Sequence, residues 1–336
     1  MTKKTFIIAE VGLAHEGSVG IAKSFVDKIS EAGADAVKFQ IHDHKYESSI
    51  YEKFRKKFSF QDKNRTEYWK RTQFSEKEWH HLIKYTKSKK LKFIVSPFSI
   101  ESFEKLKKFN VDSWKIASGE FTNLPLIKHI KNNSRKPIIL STGLTYEKEI
   151  KIVLEKLKKI KKRITLLQCT SIYPTPIEKV GHNLLGHLKK KFKIPVGISD
   201  HSGNKSSILA GIAYGADMIE THLTFDKKFF GPDTSSSITF DELAEITEFN
   251  RNFYEIKKGK VRKDKLTSQQ KTMRKYFCKS IMVKNNLKKN QKISIKDLKF
   301  VKPMLGISAL DAEKIFKKKL SKDLKKETFI KWSDLK

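Results

Sequence analysis

Cysteine is almost absent from this chain. Its 336 residues hold two, Cys169 and Cys278, far apart and without a spacing pattern. A disulfide scaffold is excluded, and a reduced, cytoplasmic setting is expected. Long apolar runs are missing as well. None approaches the roughly 20 residues that a membrane helix needs, so no membrane partner is expected. The apolar stretch near the start halts at Glu10, short of the roughly 7–15-residue core of a signal peptide, and reads as a strand. No internal repeat of solenoid length is present. Acidic residues are scarce, 37 Asp and Glu against 71 Lys and Arg, for a net charge of +34. Such an excess suits nucleic acid or an anionic surface. Here it is nearly all Lys, spread along helix faces such as KIVLEKLKKIKKR (151–163), without the interleaved Arg and aromatic residues of a base reader. Solvated faces and a field that attracts anionic metabolites are the readings that remain. No nucleic-acid partner is expected, and a basic polyanion-binding protein is the non-enzymatic rival.

What is present is enough for a large core: 38% hydrophobic residues, 23 of them Phe, in a chain long enough for one big domain and an appendage. Short β-rich runs alternate with amphipathic stretches. The strands read as 5–11, 35–40, 91–97, 113–118, 137–142, 164–170, 195–200 and 217–222. The helices read as 19–32, 75–89, 100–109, 123–133, 145–160, 182–192, 206–214 and 241–256. Several strands are apolar nearly throughout, as parallel strands covered on both faces are. Eight such units predict an α/β fold, a TIM (β/α)8 barrel over residues 1–258. A doubly wound dinucleotide fold fits less well, because Glu10 and His15 in AEVGLAHEGSVG would face the phosphates. Residues 41–74 and 223–237 read as long loops. Residues 259–278 are polar and basic without an apolar period and read as a linker. Residues 279–336 read as a small β-rich domain with a short helix at 309–318. The last 80 residues carry more than half of the net charge, with 26 Lys and Arg against 7 Asp and Glu.

In a barrel of this kind the chemistry lies at the C-terminal ends of the strands, and polar residues gather there. Strand one ends at Glu10, strand two in Lys38 and Gln40, and strand three in Ser96. Strand four ends in Lys115 and Ser118 with Glu120 just beyond, and strand five in Ser141. Strand six runs into Tyr173, strand seven ends in Ser199, Asp200 and His201, and strand eight in Glu220 and His222. Any one of these could cap a helix or pair with a neighbour. Eight strands doing so at one end is hard to explain by packing. His201 and His222, on adjacent strands, suit a divalent metal completed by water, carboxylate or substrate. By alternation Ser199 and His201 face the mouth and Asp200 faces away. His15, in the first loop, suits a general acid or base. Lys38 and Lys115, with serines nearby, suit a phosphate, while a Schiff-base lysine of the aldolase kind is the rival.

The motifs AEVGLAHEGS, AGADAVKFQ, SPFS, KIASGEFTNLPLI, LSTG, LQCTSIYPTP, GISDHSG, GADMIETHLTFDK and GPDTSSS together resemble the sialic acid synthase family. These are the phosphoenolpyruvate-dependent synthases of N-acetylneuraminate, legionaminate and pseudaminate. The tail KSIMV…DLKFVKPMLGIS resembles their C-terminal antifreeze-protein-like domain. The resemblance implies a domain-swapped homodimer. It also implies condensation of phosphoenolpyruvate with the aldehyde of an N-acylhexosamine, with release of phosphate and with Mn2+ or Mg2+ held by His201 and His222. It places Lys38, Lys115, Ser118, Ser141 and Ser199 on phosphoenolpyruvate, and Gln40, Ser96, Tyr173 and Asp233 at the sugar or lining the site. Glu10 and Glu120 match the acidic pair near the reacting carbons. Three departures fall mostly on the sugar side: Ala14 where many members have Asn, Thr221 where many have Lys, and Lys302-Pro-Met-Leu-Gly where many have Arg-Pro-Gly-x-Gly. A lysine cannot make the bidentate contact of that arginine.

Overall fold

The computed structural model describes residues 3–49, 51–54 and 61–336. It divides into two compact units, Met1–Lys258 and Gly259–Lys336. The first unit is a closed barrel of eight parallel strands: β1 (Phe6–Gly12), β2 (Ala36–Ile41), β3 (Lys92–Pro97), β4 (Ser113–Ile116), β5 (Ile138–Ser141), β6 (Ile164–Cys169), β7 (Val196–Asp200) and β8 (Met218–Leu223). They pair in sequence order, and β8 returns to β1. The helices outside are α1 (Val19–Glu31), α2 (His44–Glu47), α3 (Arg65–Thr72), α4 (Glu76–Ser88), α5 (Ile100–Lys107), α6 (Leu124–Asn133), α7 (Glu147–Lys156), α8 (Leu184–Phe192), α9 (Lys205–Ala213) and α10 (Phe240–Lys258). Every predicted strand and helix of the barrel is present, with ends displaced by a few residues at most.

Strand alternation sorts the side chains into two cores. Residues such as Val37, Phe39, Phe93, Val95, Trp114 and Leu140 face outward into the helix layer. Ile8, Ala36, Ile94, Ile139 and Leu167 face inward and fill the barrel with an apolar layer. Closure is tight at Gly197, where an added Cβ would lie 2.0 Å from the Met218 carbonyl oxygen. Only glycine fits there.

Two stretches differ from their sequence reading. Residues 41–74 are not all loop: Asp43 caps α2 and Asn64 caps α3 by accepting from Glu67 N, and Tyr68 and Trp69 of α3 are buried. Tertiary contact, not periodicity, orders those short segments. Residues 50 and 55–60 of that stretch lie outside the described residues. The linker reading of 259–278 fails at α11 (Ser268–Phe277), whose capping box joins Thr267 and Gln270. A Thr three residues before Gln is a local start signal that needs no apolar period. The stretch predicted as loop at 223–237 contains a 3-10 turn (Thr234–Ser236) and leads into β9 (Ser237–Ile238), paired beside β8.

The second unit has its own core of Ile281, Val283, Leu287, Ile307, Ile315 and Ile330, among others, around the antiparallel pair β10 (Ser280–Val283) and β11 (Leu298–Val301). The predicted helix at 309–318 is shorter. A 3-10 turn runs into α12 (Ala312–Ile315), and the chain leaves the helix before Lys317, at φ 68°. Among the described residues no helix is long and apolar enough to cross a membrane.

Candidate active site

Two residues beyond the inward apolar layer the same strands change character. Ile8 is followed by Glu10, Ala36 by Lys38, Ile94 by Ser96, Ile139 by Ser141, Leu167 by Cys169 and Met218 by Glu220, and all six of these later residues are buried. The register sets Glu10 beside Lys38 and His222, Gln40 beside Ser96, and Ser199 beside Glu220. Lys38 Nζ lies 2.7 Å from Glu10 Oε2 and 3.7 Å from Glu220 Oε1, and Lys115 Nζ lies 3.4 Å from Glu220 Oε1. The Ser199 hydroxyl donates to Glu220 Oε1 at 3.0 Å, and Lys38 donates to Ser96 Oγ at 3.4 Å. Two carboxylates and two amines thus share one buried layer, where each charge is tolerable only because the others are there.

The two lysines differ. Burial opposes the charge on both. For Lys38 the carboxylates of Glu10 and Glu220 outweigh burial and hold its pKa above the ordinary value. For Lys115 burial wins, with the Lys38 charge adding to it, and its pKa is lowered. Glu220 is brought down to about 2: burial pushes it up, but Lys115 and Lys38 more than offset that. Glu220 stands among the polar strand ends in the sequence, yet motif reading assigns it no role. The signal was its spacing, two residues before His222 on one strand, which puts both on the inner face.

Above this layer opens a cavity of about 250 Å³, lined by the polar Gln40, Ser118, Tyr173, His222 and Asp233 and by the apolar and aromatic Leu13, Phe54, Tyr68, Trp69 and Phe98, among others. The aromatic lining comes largely from the stretch between β2 and α4. The rings of His201 and His222 lie 5.4 Å apart, centre to centre. His201 is brought down to about 3, by burial first and then by the neighbouring His222, so its imidazole is neutral. Its Nδ1 lies 3.4 Å from the Thr170 carbonyl oxygen and 3.5 Å from Cys169 Sγ, and its Nε2 lies 3.1 Å from the Tyr173 hydroxyl. With Nδ1–H directed at the carbonyl, the Nε2 lone pair accepts from the Tyr173 hydroxyl, and a metal bound there would take the place of that contact. The His222 ring makes no hydrogen bond among the described residues. Among those residues no cluster of three or more His, Cys, Asp or Glu surrounds a metal position, so a metal here would take water or substrate as further ligands.

The other predicted residues are placed as follows. Ser118 shares a 2.7 Å hydrogen bond with Ser171. Ser141 Oγ is buried without a partner among the described residues. Glu120, on the 3-10 turn after β4, accepts from Asn123 at 2.7 Å, and its pKa is raised by burial. Asp200 faces away from the mouth and binds Ser202 and Ser207. Lys302 belongs to the second unit, exposed, with its ammonium over the Phe277 ring. His15 is not brought to the cavity. Its ring stacks on Phe74 at 4.4 Å, Nδ1 accepts from Gly17 N at 3.1 Å, and Nε2 is buried without a partner. Burial, and then His42, bring it down to about 3. This neutral histidine holds the first loop.

Comparison with known proteins follows the same lines. The NeuB family matches residues 25–263. An N,N'-diacetyllegionaminic acid synthase of Campylobacter jejuni is 34% identical over 98% of this chain and 99% of its own. The N-acetylneuraminate-9-phosphate synthase of Homo sapiens is 31% identical over 72% of this chain and 68% of its own. The structure of N-acetylneuraminic acid synthetase from Leptospira borgpetersenii, in complex with citrate, superposes with a TM-score of 0.69 at 29% identity, covering 81% of this chain and 91% of that one. With a family match over most of its length, and relatives above 30% identity along nearly all of it, the chain belongs to the NeuB family, the sialic acid synthases.

Proposed function

We propose that this chain joins C3 of phosphoenolpyruvate to the aldehyde carbon of an N-acylhexosamine and releases phosphate, yielding a nine-carbon sugar acid of the sialic-acid type. The observation that carries this is the buried layer of Lys38, Lys115, Glu10, Glu220 and Ser199 lying directly under an aromatic-walled cavity. Lys38 and Lys115 are the two buried lysines among the described residues. With the unpartnered Ser141 hydroxyl they suit the two anionic groups of phosphoenolpyruvate. The cavity above suits a sugar, with both polar groups and aromatic rings in its lining.

In the reaction a C–C bond forms between the two substrates and the aldehyde oxygen takes a proton. Water adds at C2, and phosphate leaves with its oxygen as the C–O bond breaks. Glu10 or Glu120 handles that water, and the raised pKa of Glu120 suits a group that takes up and returns a proton. His201 and His222 would hold a divalent ion, Mn2+ or Mg2+, which would supply Lewis-acid polarisation of the aldehyde. The finer proposals are a cytoplasmic homodimer and an antifreeze-protein-like second unit that covers the partner's barrel mouth and presents Lys302.

The test is phosphate release by the full chain with phosphoenolpyruvate, Mn2+ and a panel of acceptors: N-acetylmannosamine, its 6-phosphate and diacetamido hexoses, each product identified by mass. Release that needs both substrates and stops with chelator supports the proposal. Silence with every acceptor overturns it. A second reading, a Schiff-base aldolase, is favoured by one observation, the lowered pKa of Lys115. Borohydride trapping of pyruvate on the enzyme would support it and count against the synthase.

A further inference from the structure

Two side chains of the stretch after β2 are buried: His42, which lines the cavity, and its partner Glu47. The His42 ring stacks on Trp69 at 5.0 Å and 8° and on Phe98 at 4.1 Å and 26°, and Gln73 Nε2 donates to its backbone oxygen at 2.8 Å. The ring is held in place. Its Nδ1 lies 2.6 Å from Glu47 Oε1, and its Nε2 lies 3.1 Å from Gln40 Oε1.

The orientation of the Gln40 amide is set from its other end. Gln40 Nε2 donates to Glu10 Oε1 at 2.7 Å. Glu10 is paired with the Lys38 ammonium, so it is a carboxylate and can only accept. Gln40 must therefore turn its NH2 to Glu10 and its oxygen to His42. Both ring nitrogens of His42 then face acceptors. A neutral imidazole has one N–H and can satisfy one of them. We infer that His42 and Glu47 together hold an extra proton, as an imidazolium–carboxylate pair, and that this proton makes His42 a positioning residue: it locks the Gln40 amide and, through it, the Glu10 carboxylate.

The titratable and charged groups around His42 act in both directions: the Glu120 carboxylate favours a cation there, and the Arg65 guanidinium opposes one. His15, in the loop after β1, is pushed toward its neutral form by burial and by His42. Glu120, on the turn after β4, lies within electrostatic reach of both Glu47 and His42. Asp43, the cap of α2, is paired with Lys105, and the Arg65 guanidinium sits over the Trp69 ring at 4.6 Å. When the pair loses its proton, one acceptor–acceptor contact must appear. The carboxylate is the stronger acceptor and keeps the remaining N–H. Gln40 is then released, and Glu10 loses a donor. The effect on turnover rests on the synthase reading; the proton itself does not.

Long-range proton–nitrogen NMR of the full chain, labelled with 15N-histidine, reads the proton directly. The His42 signals are assigned by their loss in His42→Phe, which keeps the stacking. Should that variant not fold, the difference between wild type and Glu47→Gln assigns the same ring. Neither ring nitrogen is expected to be a bare acceptor in the wild type at neutral pH. In Glu47→Gln, Nδ1 should become one, because the introduced amide can donate to it while Nε2–H still serves Gln40 in a neutral ring. Activity is read by phosphate release. His42→Phe should lower kcat roughly tenfold, the size of one lost buried hydrogen bond, with KM little changed. A bare ring nitrogen in the wild type overturns the inference, as does a His42→Phe variant whose kcat is unchanged. An enzyme silent with every acceptor would defeat the synthase reading, and the spectra would still decide the proton.

Discussion

Within one barrel, two adjoining layers obey opposite rules. Ile8, Ala36, Ile94, Ile139 and Leu167 fill the lower layer. Two residues on, the same strands carry Glu10, Lys38, Ser96, Ser141 and Cys169, equally buried. The lower layer needs only contact: any close-packed apolar set of the right volume would serve. The upper layer needs specific partners, because a buried charge without its counter-charge is costly. The lower layer therefore supplies stability and a floor. The upper layer supplies groups whose charge a substrate can alter, since Lys115 shares Glu220 with Lys38 and is short of negative charge.

The sharpest break in that contrast is Lys38→Met. It leaves Glu10 without its ion pair and Glu220 with Lys115 alone, and should cost about 3–5 kcal/mol in urea unfolding and abolish phosphate release. Ile94→Ala, in the lower layer, should cost about 3 kcal/mol, yet the folded fraction should keep its kcat/KM. If activity falls as it does in Lys38→Met, the two layers do not divide the work. A smaller effect tests a buried polar group outside both layers. His15 has a folded-state pKa of about 3 against 6.5 as a free side chain. The unfolded chain therefore binds one more proton between those values. Its contribution is intact above about pH 6.5 and lost as pH falls toward 3, at a slope of about 1.4 kcal/mol per pH unit. His15→Phe should remove that one-proton slope from urea midpoints measured across this range. The smallest effect is proton uptake. An anion beside Lys115 raises its lowered pKa, so phosphoenolpyruvate binding should take up a fraction of a proton. Titration calorimetry in buffers of different ionisation enthalpy reads it, and an uptake unchanged in Lys115→Arg would rule out Lys115 as its source.

The strands are legible in the sequence because parallel strands covered on both sides are short, apolar and regularly spaced. Their polar ends are legible for the same reason: Lys38 in AVKFQ and His201 in GISDHSG interrupt apolar runs. His15 shows where such reading stops. A histidine beside Gly17 is the same letter whether its ring points to the cavity or stacks on Phe74, and Phe74 lies nearly sixty residues away. Glu220 is visible as a strand-end carboxylate but carries no role in the sequence, because its ion pairs are with Lys38 and Lys115, on strands far off in the chain. α3 escaped because its reason to be helical, the burial of Tyr68 and Trp69, exists only once the barrel is formed.

The sequence by itself determined the eightfold alternation, the end of the barrel that carries polar groups and the identity of the two histidines. Those properties are local, set by period and position along single strands. The tertiary structure alone decided which charges neutralise which, that Lys38 and Lys115 differ, that His15 is a packing residue and that His42 faces two acceptors at once. Each depends on distances between groups far apart in the chain and on burial, which set the strength of every charge–charge contact.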